Sequence, residues 1–362
     1  MWIISFFLAL ILLIIVQRAV YTRMGFRRLS YRRAFTPPTV NEGESVTMVE
    51  TIGNNKLLPL PWVRVEAQIS PNLIFAGSRR PERTERHFHR SIFAMPPYMR
   101  ITRRHRVECP RRGYYHIKSV AITAGDLFGV GPNVARDYPT DSIVTVYPSL
   151  VPIDDIFNDK NSYTGDTVVR RWIVEDPFMI KGVREYTASD PFNHINWKAT
   201  AKTGTLQVHN FDFTAKIQLV IIVNIDTSPH QWTVTQDEAC AERALSIAAS
   251  CAQYAIEHGI KTGFITNGRA IDDPDTVVHI DPQIGEEHLT TIFEAISKTL
   301  LNRTLTFPTL LRQEVTSGIE NCDILIISAY TDDSIEEQIA ALRAGGNTIE
   351  VIRPERTIGG GI

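Results

Sequence analysis

The chain opens on an apolar run in which Ser5 is the single polar residue between Met1 and Val16. Continued as a helix through Gln17 to Tyr21, the run would span about 30 Å, the thickness of a bilayer's hydrocarbon core. We therefore predict a single-pass transmembrane helix, with a helix lying in the membrane interface as the alternative. Arginines follow the run and none precedes it, so the positive-inside rule predicts that the bulk of the chain is cytoplasmic. They are Arg18, Arg23, Arg27, Arg28, Arg32 and Arg33.

Apolar and polar residues alternate with a period of two from about Val40 to Val146, and turn residues separate the alternating runs. This pattern is typical of a small antiparallel β-sandwich. The predicted strands lie at Ser45–Ile52, Pro59–Ala67, Phe88–Phe93, Met99–Val107, Tyr114–Ile122 and Ile143–Tyr147.

The periodicity changes at Ile217–Ile225, a nearly continuous apolar run of the kind that is buried on both faces of a parallel sheet. Helical and strand patterns then alternate to the end of the chain, which predicts a doubly wound α/β domain. The predicted helices cover 236–258, 285–301 and 333–344, and the further strands cover 262–266, 323–327 and 348–352.

These patterns divide the 362 residues into four segments. We predict a membrane anchor with a basic flank at 1–33, a β-sandwich domain at 34–150, a linker at 151–215 and an α/β domain at 216–362. The four cysteines are far apart and form no Cys-x-x-Cys pair, which fits a reducing compartment and argues against a disulfide framework.

Charge is divided unevenly, although the net charge is only -2. Residues 1–215 carry 28 Lys and Arg against 19 Asp and Glu, whereas residues 216–362 carry 10 against 21. A basic half close to the membrane would be attracted to anionic headgroups, and an acidic distal half would be held away. The alternative is that two domains simply differ in surface charge.

Two other interpretations of the basic half are rejected. Its arginines are not interleaved with aromatic residues at the spacing of a nucleic-acid-binding motif, so we expect no nucleic acid partner. His87, His89, His105 and Cys109 are zinc-ligating residue types, but fifteen residues separate the pairs, and His105 and Cys109 would lie about 13 Å apart on a strand. We therefore expect no zinc site. The sequence contains neither a phosphate loop nor a hydrolase motif, so no motif indicates an enzyme.

The most informative stretch, which we call the signature segment, covers residues 184–202. It contains Arg184-Glu185-Tyr186, then Asp190, then Ile195-Asn196-Trp197-Lys198-Ala199-Thr200-Ala201-Lys202. This order resembles the pattern R-E-Y, Asp, I-x-W-x-x-x-A-[RK] of the bacterial family called domain of unknown function 58. Asp126-Leu127-Phe128-Gly129 and Tyr147-Pro148 resemble further landmarks of that family.

The resemblance implies a membrane-anchored protein whose C-terminal domain is von Willebrand factor A-like. Relatives are commonly associated with AAA+ ATPases of the MoxR type, so it also implies a non-enzymatic adaptor that presents a protein client to such an ATPase. The client itself is not identified. A structural scaffold of an envelope or secretion assembly is the main alternative, and a hydrolase with no known motif is the third.

The signature segment supports two interpretations. Arg184 and Glu185 could pair with Asp190 and Lys198 while Trp197 and Tyr186 cover the first strand of the α/β sheet, which would staple the linker to that domain. The same residues could instead form a protein-docking surface, because Arg, Tyr and Trp dominate interface hot spots. This chain has Asn193 and Asn196 where relatives more often carry charged residues.

The resemblance also raises the possibility of Mg²⁺ at the edge of the α/β sheet, where domains of the von Willebrand A type place Asp-x-Ser-x-Ser. Here Asp226 and Ser228 occupy the first two ligand positions, His230 replaces the second Ser, and Ala329 lies where an Asp is more common. We therefore expect no cofactor. Under the alternative interpretation, Asp226 and Ser228 cap the turn into the next helix.

Overall fold

The computed structural model describes residues 2–76, 87–125, 134–157, 180–187, 192, 195–211, 218–229 and 235–354. The chain forms two compact units, Met1–Ser149 and Leu150–Ile362. The predicted linker therefore groups with the C-terminal unit. The landmark at 126–129 lies outside the described residues.

The first element is helix α1 (Trp2–Met24), which continues three residues beyond the predicted end. Its apolar side chains are exposed along most of its length, and it is long and apolar enough to cross a membrane. Its last turn differs, because Tyr21 is buried and the Lys56 ammonium donates to the carbonyl oxygen of Gly25 at 2.8 Å. The end of the helix is thus fastened to the β-sheets that follow.

Two sheets make up the rest of the first unit, and the six predicted strands are all present. One sheet has the order β1-β3-β7-β5 and the other the order β2-β9-β8-β4-β6. The strands are β1 (Leu29–Thr36), β2 (Thr39–Asn41), β3 (Ser45–Asn54), β4 (Leu60–Ile69), β5 (Ile74–Phe75), β6 (His87–Met95), β7 (Arg100–Glu108), β8 (Gly113–Ala124) and β9 (Val134–Tyr147).

The inner faces of the two sheets share one hydrophobic core, so the unit is a β-sandwich. Alternate residues of β3, among them Val46, Met48 and Ile52, point into this core, as do Val63 and Val65 of β4. This alternation is the physical basis of the period-two pattern, because successive side chains of a strand point to opposite faces.

The second unit begins with helix α2 (Ile153–Phe157) and a small element that contains the signature segment. Ile153, Ile156 and Phe157 pack against the core of the α/β sheet, and the amide of Val151 donates to the hydroxyl of Ser250 at 2.8 Å. The small element consists of antiparallel strands β10 (Ile180–Glu185) and β11 (Gln207–Phe211) with helix α3 (Trp197–Thr203) between them in sequence.

The α/β sheet has the order β14-β13-β12-β16-β17, and β15 also pairs with β13. Strands β13, β12, β16 and β17 are parallel, whereas β14 is antiparallel to its neighbour. The strands are β12 (Gln218–Val223), β13 (Lys261–Ala270), β14 (Val277–Gln283), β15 (Thr299–Arg303), β16 (Asp323–Ile327) and β17 (Thr348–Ile352).

Helices cover both faces of this sheet, as the doubly wound prediction requires. Leu219 and Ile221 of β12 belong to one hydrophobic core, and Val220 and Ile222 of the same strand belong to the other. The helices are α4 (Glu238–Glu257) and α5 (Glu286–Lys298) on the first face, and α6 (Phe307–Ser317) and α7 (Asp333–Ala344) on the second.

The strands over 323–327 and 348–352 and the helix over 333–344 have the predicted bounds. The hydrophobic pattern did not predict β14, β15 or α6, because the simple alternation of strand and helix expected of a doubly wound sheet does not hold here. Instead, β13 continues into the antiparallel partner β14, whose alternating intermediate and exposed positions mark an edge strand.

We expect the double burial of β12 to dominate the stability of the α/β unit. Ile222→Ala should lower the free energy of unfolding by about 2–5 kcal/mol, because the fully buried side chain leaves a cavity between sheet and helices. Ile284→Ala, at a residue that is 55% exposed, should change it by less than about 0.5 kcal/mol. Urea unfolding of the full-length protein in detergent measures both, and equal losses would contradict the proposed core.

Candidate functional site

Polar side chains gather where the parallel strands of the α/β sheet end. The chain leaves β12 at Asn224, reaches Asp226 two residues later, and leaves β16 at Ser328. From β12 the chain passes to β13 on one side, and β16 lies on the other, so the strand order reverses here. Open α/β sheets bind ligands at such a point.

A buried hydrogen-bond network joins these residues. Asn224 donates to the hydroxyl of Ser328 at 2.9 Å. The Asn267 side chain, near the end of β13, accepts from the backbone amide of Ile225 at 2.8 Å and donates to Asn224 Oδ1 and Asp226 Oδ2 at 3.2 Å each. Because both ends of the Asn267 amide are used, the network fixes the backbone as it leaves β12.

The Asp226 carboxylate is the charged centre of this network and is only 1% exposed. Its Oδ2 accepts from Nη1 of Arg303 at 3.1 Å, so a guanidinium at the end of β15 balances the buried charge. Burial raises the pKa of Asp226 above its ordinary value, and Arg303 and Asn267 counteract that shift without cancelling it. Asp226 and Arg303 therefore form a buried ion pair, and Asn267 donates a further hydrogen bond to the carboxylate.

The described residues at this edge do not form a donor set suited to Mg²⁺. Asp226 Oδ2 already accepts from two donors, and the Arg303 guanidinium beside it repels a divalent cation. Ala329 offers no side-chain oxygen, and Asp332 caps helix α7 by accepting from the amide of Ile335 at 2.9 Å. Hard divalent cations require several oxygen ligands, which this edge does not supply.

The interpretation of Asp226 and Ser228 as helix caps is wrong, because Asp237 caps the next helix. Its side chain accepts from the amide of Cys240 at 3.1 Å, and its own amide donates to the hydroxyl of Thr227 at 3.3 Å. Ser228 is half-buried on the turn after β12, and His230 lies outside the described residues.

The first part of the signature segment belongs to strand β10 and the residues after it. Arg184 pairs with Val208 of β11, and Glu185 pairs with Gln207. The backbone amide of Tyr186 donates to Leu206 at 2.9 Å, and its ring lies 5.7 Å from that of Phe192. Asp190, the proposed partner of Arg184, lies outside the described residues.

The second part of the segment forms helix α3. Asn196 is its N-cap and accepts from the amide of Ala199 at 2.9 Å, which gives this departure from the family pattern a structural role. Trp197 and Lys198 occupy the first turn, and both are exposed. Ile195, just before the cap, is buried and pairs with Val208 of β11.

The stapling interpretation is wrong for Trp197, because its side chain is 67% exposed and cannot serve as a buried lid. Phe192 is 74% exposed, and Val183 and Leu206 are also exposed. The small element therefore presents several large apolar side chains to solvent. We call this set, Val183, Phe192, Trp197 and Leu206, the signature surface.

Sequence reasoning also missed a polar cluster inside the β-sandwich. Glu50, His89 and His105 each offer a potential ligand atom, and these atoms lie within 4.8 Å of one another. Spacing along a single strand, on which a zinc site was rejected, does not reveal residues that meet across two sheets. The signal available in the sequence was Glu50, a charged residue on the apolar face of β3.

Comparison with known proteins identifies the family. Residues 182–355 match the model of the family described as "Protein of unknown function DUF58". The matched region starts at the signature segment and extends through the last described strand of the α/β sheet. Residues 182–355 therefore belong to the DUF58 family, and the resemblance noted from the signature segment is confirmed. No curated protein matches the chain.

Several solved structures resemble about a third of the chain. They include a CARDB domain from Pyrococcus furiosus, with 11% identity and a TM-score of 0.23 over 33% of this chain and 96% of that one. A non-cellulosomal cohesin from Archaeoglobus fulgidus has 8% identity and a TM-score of 0.23 over 32% and 91%. The third cohesin ScaC from Acetivibrio cellulolyticus has 8% identity and a TM-score of 0.24 over 32% and 99%. Values this low assign no function.

We expect Arg303→Met to lower the free energy of unfolding by about 3–5 kcal/mol at neutral pH, because it leaves the Asp226 charge buried without a counter-charge. The variant should raise the folded-state pKa of Asp226 further above its unfolded value. A group shifted in this direction stabilises the fold at acid pH and loses that contribution as pH rises. The decrease in the free energy of unfolding caused by Arg303→Met should therefore be smaller at about pH 4 than at about pH 7.

Arg312→Met is the matched control, because Arg312 is an exposed arginine on helix α6. It should change the free energy of unfolding by less than about 0.5 kcal/mol. Urea unfolding at both pH values provides the measurement. A loss in Arg303→Met that does not depend on pH would contradict the ion pair.

Proposed function

We propose that this protein is a non-enzymatic, membrane-tethered adaptor that docks a MoxR-type AAA+ ATPase and presents a protein client to it. The observation that carries the proposal is the signature surface, where large apolar side chains are exposed on a small folded element. Soluble surfaces rarely leave several such residues exposed together unless they bind a partner. The partner class comes from the family resemblance.

The composition of the signature surface favours a protein partner. Trp197 supplies a large rigid side chain at the start of a helix, Lys198 follows it in the same turn, and Arg184 lies on β10 of the same small element. Trp and Arg are the residue types most enriched at interface hot spots. Strands β10 and β11 and the capped helix hold the backbone in place, so little conformational entropy is lost on docking.

The sheet order supports a von Willebrand factor A-like assignment of the α/β domain. If β15 is left out and the remaining strands are numbered 1 to 5 from β12 to β17, their order across the sheet is 3-2-1-4-5. Strand 3, which is β14, is antiparallel to its neighbour. The Asp226–Arg303 pair supports a metal-independent version of this domain, because the cation beside the carboxylate is supplied by the chain itself.

The acidic character of the distal domain offers a second contact for an ATPase. Asp332 and Asp333 lie at the start of helix α7, where Asp332 is engaged as the N-cap. Asp333 occupies the first turn and can be neutralised without removing the cap. A loss of binding in Asp333→Asn would therefore report on docking and not on helix stability.

The adaptor is tested by a mild-detergent pull-down of the full-length protein from its own cells, with and without ATP. We expect a MoxR-type ATPase to be recovered in a nucleotide-dependent way. Trp197→Ala and Phe192→Ala should each reduce recovery about 10-fold or more, because truncating a hot spot costs at least about 2 kcal/mol.

Ile284→Ala is the matched control, because Ile284 is also an exposed aliphatic residue of the second unit but lies outside the signature segment. It should leave recovery unchanged. Undiminished recovery in Trp197→Ala would contradict docking through the signature surface. Stoichiometric, ATP-independent recovery of envelope proteins, with no ATPase, would favour the scaffold instead.

We further propose that α1 anchors the protein in the cell membrane with both folded units in the cytoplasm. The 23-residue helix is long enough to span the bilayer, and the arginines after it disfavour translocation. A reporter that is active only in the cytoplasm, fused after residue 362, should be active. Activity of a reporter that requires export would contradict this topology.

A further inference from the structure

The core of the β-sandwich is mostly apolar, but five polar side chains meet around Glu50 of β3. Glu50 of β3 and His105 of β7 come from one sheet, and His89 of β6 comes from the other. Tyr31 and Arg33 of β1 complete the group. Burying an ionisable group costs free energy unless it is paired, so this cluster requires a physical explanation.

Glu50 is the centre of the cluster, and its side chain is fully buried. Oε1 accepts from Nη2 of Arg33 at 3.0 Å and from the hydroxyl of Tyr31 at 2.7 Å. The two contacts hold Oε1 in place, and they put the positive charge of Arg33 beside the buried carboxylate.

The second oxygen, Oε2, faces Nε2 of His105 at 3.6 Å. Among the described residues neither atom has a hydrogen-bond partner of standard geometry, and 3.6 Å is too long for a hydrogen bond between them. Two ligands on one tetrahedral zinc ion lie about 3.4 Å apart, because each bond is about 2.0–2.2 Å long. The separation thus fits two ligands that share an ion better than it fits a direct contact.

His89 approaches from the opposite sheet. Its ring centroid lies 4.8 Å from that of His105 and 4.2 Å from that of Phe75, on which it stacks. The hydroxyl of Ser91 lies 3.2 Å from Nε2 of His89, the kind of contact that orients a ligating histidine. His105 is 26% exposed, so an ion can reach the cluster from solvent.

We propose that Glu50, His89 and His105 form a binding site for a divalent transition-metal ion of the zinc class. Two imidazoles and one carboxylate are a common ligand set for such ions, and three protein ligands leave a position open for water or another ligand. Mg²⁺ and Ca²⁺ prefer oxygen ligands and should bind weakly. Tyr31 and Arg33 orient the carboxylate from the Oε1 side, and the Arg33 charge reduces the affinity.

This inference does not depend on the adaptor role, because the cluster lies in the first unit and the signature surface lies in the second. An ion here would join β3 and β7 to β6 across the sandwich. It would also give a coordination bond to Glu50 Oε2 and to His105 Nε2, neither of which has a hydrogen bond of standard geometry among the described residues. We therefore expect metal binding to stabilise the sandwich against unfolding.

The test uses the full-length protein in detergent, stripped with a chelator and titrated with Zn²⁺ against a chromophoric zinc chelator. We expect one tight site per chain. His89→Ala and His105→Ala should each lower the Zn²⁺ affinity by more than about 100-fold, since loss of an outer-shell partner alone costs about 10–100-fold. Tyr31→Phe, which loses the hydrogen bond to Oε1, should lower it by about 10-fold.

His116→Ala is the matched control, because His116 is an exposed histidine of the same sandwich that pairs with Asp141 at 2.9 Å. It should retain the wild-type affinity, and circular dichroism should show that all variants are folded. Co²⁺ should give the visible absorption of a low-symmetry tetrahedral site in the wild type and lose it in His105→Ala. Equal Zn²⁺ affinity in the wild type and a His89→Ala/His105→Ala double variant would overturn the proposal.

Discussion

The burial of strand Gln218–Val223 on both faces is the constraint on which the C-terminal unit depends. Its side chains alternate between two separate hydrophobic cores, so helices must cover both sides of the sheet and polar groups are excluded along the strand. The first positions free of this constraint are those just after the strand. Asn224 and Asp226 occupy them, and the hydrogen bonds that join them to Asn267, Ser328 and Arg303 follow from the need to satisfy polar groups that remain buried.

The buried carboxylates of Asp226 and Glu50 are stabilised in different ways against the cost of burying a negative charge. Asp226 is matched by Arg303 and Asn267 at a single oxygen in a network of neutral amides and hydroxyls, which makes it a structural centre of the α/β unit. Glu50 is matched by Arg33 at one oxygen, while the other faces His105 with no hydrogen-bond partner of standard geometry among the described residues. The Arg303 guanidinium disfavours a divalent cation beside Asp226, whereas the second oxygen of Glu50 is part of the proposed metal site.

The segment that identifies the family is organised differently from either core. Its buried Ile195 pairs with Val208 of β11, and its aromatic residues Phe192 and Trp197 face solvent. Exposed aromatic residues are typical of interface hot spots, which is the basis of the proposed docking surface. The apolar N-terminal helix is the basis of the proposed membrane tether.

The apolar N-terminal helix and the period of each domain could be read from the sequence, because periodicity is a local consequence of which faces are buried. The strands at 323–327 and 348–352 and the helix at 333–344 were predicted to the residue for this reason. The antiparallel strand at 277–283 was missed, since a half-exposed edge strand has a weak pattern. Tertiary structure alone decided that Arg303 lies beside Asp226, that Asp237 caps the helix at 238, and that Glu50 meets two histidines. These contacts join residues from different strands or sheets, and spacing along one chain holds no information about distances across a core.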